Sequence, residues 1–190
     1  MTKNEFLLRF SLQSLGPSSH NYYHHQPLKS AAVLIGLVET DDAGLQVLLT
    51  KRASHLTHHP SQVSFPGGKV EQTDSSLIMT ALREAQEEIG LDSNAVNVIG
   101  QLPSYQVISG YQVTPIIAFI NKNQRYTKDS NEVSEIFQVP LHYFLNPLRH
   151  HIVVASKNGK QHNVHFMPYK QHNIWGATAS MIKDLVTHIN

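Results

Sequence analysis

Glu84, Glu87 and Glu88 lie in one short run, Arg83-Glu84-Ala85-Gln86-Glu87-Glu88, at positions i, i+3 and i+4. At about 100° per residue, a helix gathers these carboxylates on one side within a single turn. Carboxylates that close repel by about 0.2–0.5 kcal/mol per neighbouring pair on an exposed helix, and only Arg83 stands beside them with opposite charge. A solvated acidic face is one reading of the cluster. The other is a site for a divalent cation, and oxygen ligands without cysteine suit Mg²⁺ or Mn²⁺ rather than zinc. Upstream, Ser64-Phe65-Pro66-Gly67-Gly68 ends a short apolar strand, Gln62 to Phe65, in a proline and two glycines. Glycines there let backbone approach a ligand closely, and a loop carbonyl can join a coordination shell.

The elements that must position these groups are legible nearby. Ala, Leu, Met, Arg, Glu and Gln dominate from Leu77 to Glu88, and all favour helix. Ile78, Leu82, Ala85 and Ile89 recur at helical spacing and predict the buried stripe. Asp74 or Ser75 can cap the start, and Gly90 suits the left-handed residue just past the end.

These residues resemble the signature of the Nudix hydrolases, G-x5-E-x7-R-E-U-x-E-E-x-G-U with U aliphatic. Gly68 matches the glycine, and Arg83, Glu84, Ala85, Glu87, Glu88, Gly90 and Leu91 match the second half. Asp74 stands where the pattern has its first Glu, one residue further from Arg83. That departure resembles the coenzyme A pyrophosphatase branch, whose loop reads GG-x-x-D-x-x-D-x-S; Glu71, Asp74 and Ser76 fill its acidic and serine positions. A second signature of the branch resembles L-L-T-x-R-S-x-x-x-R-x-H-x-G-x-V-x-F-P-G-G. The chain carries Leu48-Leu49-Thr50-Lys51-Arg52, His59, Gln62-Val63 and Phe65-Pro66-Gly67-Gly68 in register, and departs at Ala53, Thr57 and Ser61.

Composition bounds the rest. One domain of 190 residues, 41% hydrophobic with a net charge of +1, fits a soluble globule without affinity for nucleic acid or membrane surface. Absent cysteines exclude disulfides and thiolate sites, no stretch reaches the roughly 20 apolar residues of a membrane span, and the start is no convincing signal peptide, so the cytoplasm is the expected location. The 13 histidines, several paired as His24-His25, His58-His59 and His150-His151, follow no zinc-finger spacing.

Along the chain, Phe6, Leu7, Phe10 and Leu15 predict an N-terminal helix closed by Gly16-Pro17, then a polar linker from Pro17 to Pro27. Residues 1–28 are thus read as helix and linker packed on the domain, and 29–190 as the domain itself. Ala31 to Val38 predicts a buried central strand, and Asp41-Asp42-Ala43-Gly44 a turn into Leu45 to Thr50. Arg52 closes that strand, either as an edge charge or as a planar fork for phosphate. Strands are expected over Ala95 to Leu102 and Val113 to Ile120. The intervening Ser104–Tyr111 is expected as a loop, with Tyr105 or Tyr111 stacking on a base or simply packing. Asn131 to Leu141 reads as a strand ending at Pro140. His151–Ala155 and Asn163–Phe166 pair around Lys157-Asn158-Gly159. Trp175, Met181, Ile182, Leu185, Val186 and Ile189 mark a C-terminal helix.

Strands interrupted by helices predict an α/β domain, and the resemblance implies the Nudix-type α/β/α sandwich with a mixed β-sheet. It further implies a metal-dependent hydrolase splitting coenzyme A or acyl-CoA into adenosine 3′,5′-bisphosphate and (acyl-)4′-phosphopantetheine. The metal, Mg²⁺ or Mn²⁺, is expected on Glu84, Glu87, Glu88 and the Gly68 carbonyl. Glu87, Glu88 and Glu132 are candidates for the chemistry, with Glu135 in reserve for Glu132 and Arg83 orienting a glutamate. Arg52, His59, Gln62, Phe65 and Tyr111 are candidates for substrate contact. Another nucleoside diphosphate such as ADP-ribose, or a non-catalytic nucleotide-binding regulator, stays open, as does a homodimer.

Overall fold

Residues 1–14, 16, 18, 26–41, 44–157 and 160–190 are described in the computed structural model of the protein. Leu15, Pro17, His24, His25 and most of the expected linker lie outside them, as do the middles of the two expected turns, Asp42-Ala43 and Asn158-Gly159.

The chain runs α1 (Lys3–Leu12), β1 (Lys29–Thr40), β2 (Gly44–Arg52), β3 (Val63–Ser64), β4 (Gly67–Lys69) and α2 (Leu77–Ile89). It continues through β5 (Val96–Gln101), β6 (Tyr105–Val107), β7 (Tyr111–Ile120), β8 (Val133–Pro140) and α3 (Leu141–Leu145). Last come β9 (His151–Lys157), β10 (Lys160–Tyr169), β11 (His172–Trp175) and α4 (Gly176–Ile189).

β1 is central because it is apolar on both sides. It lies parallel to β7 from Lys29 opposite Tyr111 to Val38 opposite Ile120. Its other edge is shared: Leu37–Thr40 pair antiparallel with β2, whereas Ala31–Val33 pair antiparallel with β4. β1 therefore changes partner part-way, and the glycine loop enters the sheet in the place β2 vacates. β8 and β3 pair with β2, and β5 and β6 with β7, giving a mixed sheet with one parallel pair among those described.

Alternation along the strands sorts side chains onto two faces. Ala32, Leu34, Val38, Leu48, Ile116 and Ala118 pack against Ala81, Ala85 and Ile89 of α2. Ala31, Ile35, Leu37, Leu49, Ile117 and Phe119 pack on the other side, with Phe6 of α1 and Met181, Ile182, Leu185 and Ile189 of α4. Helices on both faces of a mixed sheet make the α/β/α sandwich the resemblance implied. Phe6 is wholly buried, so α1 is part of that second layer.

The departures are local. Ser104–Tyr111 is a hairpin rather than a loop, because β6 pairs with the start of β7 and Gly110 turns at φ 84°. Tyr105 is 2% exposed and gives its ring to the core, which removes it as a base-stacking candidate. The late hairpin forms as expected but gains β11, making a separate three-stranded sheet. Trp175 ends that strand, 38% exposed, instead of lying on the buried stripe of α4. No helix among the described residues is long and apolar enough to cross a membrane.

Candidate active site

α2 starts at Ser76, whose side chain accepts the Met79 N–H, and not at Asp74 or Ser75. It stops at Gly90, left-handed at φ 64° and ψ 30°, as expected. The buried stripe is rotated from the one expected: Ile78 is 38% exposed, while Ala81, Ala85, Glu88 and Ile89 turn inward. Small alanines let the helix approach the sheet, which outweighs the larger apolar area of Ile78. The rotation decides the glutamates. Glu88 lies on the buried face at 4% exposure, Glu84 at its border, and Glu87 with 61% of its side chain in solvent.

The glycine loop meets Glu84 and Glu88 directly. The backbone of Gly67 favours the charged form of the Glu88 carboxylate. A Cβ on Gly68 would stand 2.4 Å from the Glu84 carboxyl carbon, so glycine is needed there for that carboxylate to reach the loop. A Cβ on Gly67 would strike the Ala32 carbonyl oxygen at 2.4 Å, the cost of running β4 against β1.

Arg83 holds the upper part of the cluster. Its Nε and Nη2 donate to Asp74 Oδ1 and Oδ2, both at 3.0 Å, and its Nη1 donates to Glu84 at 2.9 Å and Glu87 at 3.1 Å. Asp74 also accepts from Thr80 Oγ1 and the Glu71 N–H, each at 2.9 Å. The Arg83 guanidinium, then the Glu71 N–H, hold the Asp74 carboxyl well below the usual carboxylate range. Asp74, considered from sequence as a cap, is thus the anchor of Arg83, and Thr80, fully buried, was not foreseen. No periodicity marks a contact made across a turn.

Burial pushes Glu88 up to about 8, the nearby Glu132 and Glu84 carboxylates add to the rise, and Arg52 opposes it. Burial also raises Glu84, against the pull of Arg83. Arg52, last in β2, therefore faces Glu88, and its Nε is buried without a hydrogen-bond partner among the described residues. Glu132 lies just before β8, its carbonyl accepting the Ala53 N–H at 2.8 Å. Glu135 is elsewhere: its Oε1 is 3.3 Å from His172 Nε2, beside the Phe137 ring stacked on that histidine.

The substrate candidates scatter more. His59 and Gln62 bond each other, Nδ1 to Oε1 at 2.9 Å, on the exposed arc after β2. Phe65 is 3% exposed within the apolar core, and Tyr111 packs half-buried against the same core at the start of β7. The structure brings together Arg52, Gly68, Arg83, Glu84, Glu88 and Glu132. Phe65 and Tyr111 are not in this group and pack against the apolar core.

An oxygen-only donor set with a half-desolvated Glu84, a buried Glu88 and a glycine cradle fits a hard divalent cation. Among the described residues, no three acidic or histidine side chains already converge on one point, and Arg83 Nη1 engages Glu84 and Glu87.

The sequence profile of the NUDIX domain matches residues 27–185. The chain belongs to the NUDIX family. Its curated relatives include Uncharacterized Nudix hydrolase NudL of Enterobacter sp. (strain 638) and of Escherichia coli O7:K1 (strain IAI39 / ExPEC). Both are 41% identical over 189 residues, covering 100% of this chain and 95% of theirs. Among solved structures, a NUDIX hydrolase from Alicyclobacillus acidocaldarius superposes with TM-score 0.52 at 16% identity, covering 88% of this chain and 95% of that one. RenU, a Nudix hydrolase from M. smegmatis, also gives 0.52, at 19% identity, covering 68% and 81%. These two share the Nudix fold with the chain. Nudix hydrolases generally use divalent ions such as Mg²⁺ or Mn²⁺, for which Glu84, Glu88 and the Gly68 loop are the suited residues here.

Proposed function

We propose that this Nudix chain is a metal-dependent diphosphatase that cleaves coenzyme A or acyl-CoA into adenosine 3′,5′-bisphosphate and (acyl-)4′-phosphopantetheine. The observation that carries the hydrolase reading is the Glu88 carboxylate, buried at 4% exposure beside the loop glycines and acted on by the like charges of Glu132 and Glu84. Carboxylates buried beside like charges concentrate at functional sites, and a divalent cation is the partner that would offset this crowding.

A bound Mg²⁺ or Mn²⁺ supplies neutralisation of the diphosphate and acidifies water beside it. The chain's residues do the rest. Glu84 and Glu88 would hold the cation with the Gly68 carbonyl, and Glu87 would join as ligand or as a partner behind the ligands. Arg83, clamped by Asp74, fixes the directions of Glu84 and Glu87. Arg52 offers its buried, uncommitted Nε to a phosphate oxygen, a contact for which a guanidinium is well shaped. Glu132, which by the family resemblance would also face the cation, takes the proton from the attacking water.

Coenzyme A is favoured by the run from Leu48 to Gly68, which resembles the coenzyme A pyrophosphatases through Arg52, His59 and Gln62. The test is incubation with Mg²⁺ or Mn²⁺ and coenzyme A, acyl-CoA or ADP-ribose, with products resolved by chromatography. Cleavage of coenzyme A to the two stated products is expected, and Glu88→Gln should abolish nearly all turnover while staying folded. Cleavage of ADP-ribose but not coenzyme A would remove the preferred substrate.

A further inference from the structure

Residues 127–134 run as a strap from the C-terminal end of α2 to the end of β2. The Thr127 N–H donates to the Ile89 carbonyl and the Asp129 N–H to the Glu88 carbonyl, both at 2.9 Å. The chain then turns tightly. The Asp129 carbonyl accepts from the N–H groups of Glu132 at 3.1 Å and Val133 at 2.8 Å, and Asp129 Oδ1 accepts from the Asn131 N–H at 2.9 Å. The far end is fastened to β2 and the turn after it: His55 Nε2 pairs with the Asn131 carbonyl at 3.0 Å, and Ser134 Oγ donates to the carbonyls of Lys51 and Arg52 at 3.0 and 3.2 Å.

Strand pairing alone does not aim Glu132. It precedes β8, and the β2–β8 register slips between Lys51 and Arg52. Asp129 supplies what the ladder does not, since its N–H holds the backbone of Glu88 and its carbonyl holds that of Glu132. An aspartate accepting from a backbone N–H two residues on is the side-chain device that imposes such a turn.

We infer that Asp129 is a positioning residue that sets Glu132 against Glu88, through the turn its side chain closes. Its carboxylate acts by accepting a hydrogen bond, not by its charge. The inference rests on the diphosphatase reading, in which Glu132 and Glu88 work on one centre.

The test compares Asp129→Ala, which lacks the acceptor, with Asp129→Asn, which keeps Oδ1. Alanine should lower kcat about tenfold or more, with KM little changed, as for other residues that orient metal-site ligands. Asparagine should restore kcat to near the parent value. Mn²⁺ titration by calorimetry, without substrate, should show uptake weakened about tenfold in the alanine variant and unchanged in the asparagine variant. If alanine prevents folding, Asp129→Leu, similar in shape and also without an acceptor, carries the same expectations. Parent-like kcat and Mn²⁺ affinity in the alanine variant would overturn the inference. So would an asparagine variant as damaged as the alanine one. A parent protein that hydrolyses no diphosphate would refute the functional reading alone, and the Mn²⁺ titration would still decide on Asp129.

Discussion

Arg83 and Asp74 meet through two parallel hydrogen bonds of 3.0 Å, and the remaining Arg83 nitrogen, Nη1, reaches both Glu84 and Glu87. The acidic helix is thus steered from the loop before it. Such a planar fork fixes direction as well as charge.

Removing the anchor should disturb both fold and site. Asp74→Asn is expected to melt below the parent at neutral pH and to lose turnover as Arg83 loses the two-bond carboxylate clamp that fixes its plane. Because the folded carboxyl lies below its ordinary 3.8, its contribution is present above that value and is lost as pH falls through the folded value. Melting curves of parent and variant should therefore converge as the solution is acidified below about 4. A gap independent of pH would contradict this account.

Glu88 has the opposite sign. Its folded value, up to about 8 from an ordinary 4.5, means the neutral form is favoured by the fold. That stabilisation is complete below about 4.5 and disappears as pH rises through about 8. In divalent-free buffer the parent should melt progressively lower across this window, and Glu88→Gln should flatten the trend. Added Mn²⁺ should raise the melting temperature of the parent and not that of the glutamine variant.

The two loop glycines should fail differently. In Gly68→Ala the new methyl meets the flexible end of Glu84, so the fold survives while the carboxylate is displaced. Turnover is expected to fall about 10–100-fold with little change in melting. In Gly67→Ala the methyl meets backbone at Ala32 and Val33, and the sheet must yield. Destabilisation of about 1–3 kcal/mol is expected by denaturant titration.

Ser61 stands where the coenzyme A pyrophosphatase pattern has glycine, and its φ is 60°. The left-handed region costs a non-glycine residue about 1–2 kcal/mol, partly offset by the greater freedom of glycine when unfolded. Ser61→Gly should stabilise the protein by roughly 0.5–1 kcal/mol. A destabilised variant would show that Ser61 makes a contact worth more than its strain.

The central strand and the acidic helix with its Gly90 stop were legible because local composition and the family pattern agree on them, whereas the choice of Glu132 over Glu135 came from the family pattern alone. The orientation of α2 was not. Hydrophobicity alone puts Ile78 inside, whereas the sheet accepts the smaller Ala81 and leaves Ile78 in solvent. Tyr105 was ambiguous for a related reason: an aromatic ring reads alike in a loop and in a core until the pairing of Tyr105 with Val113 is known. Phe65 matches its motif yet is spent on packing, so a motif position need not touch a ligand. Contacts such as Asp74 with Thr80, or Asp129 with Glu88, depend on loops whose course no periodicity reveals.

The exchange of partners along β1 has a consequence for how such an enzyme can diversify. The arc between Arg52 and Val63 is tethered at each end by the pairing of β2 with β3, so its residues beyond His55 can be rewritten or lengthened while the machinery stays put. Within α2, from Leu77 to Glu88, no such liberty exists. One residue gained within the first turns of α2 would swing every acid by about 100° and face the wrong way. Natural variation in what the molecule admits should collect in the first interval and spare the second.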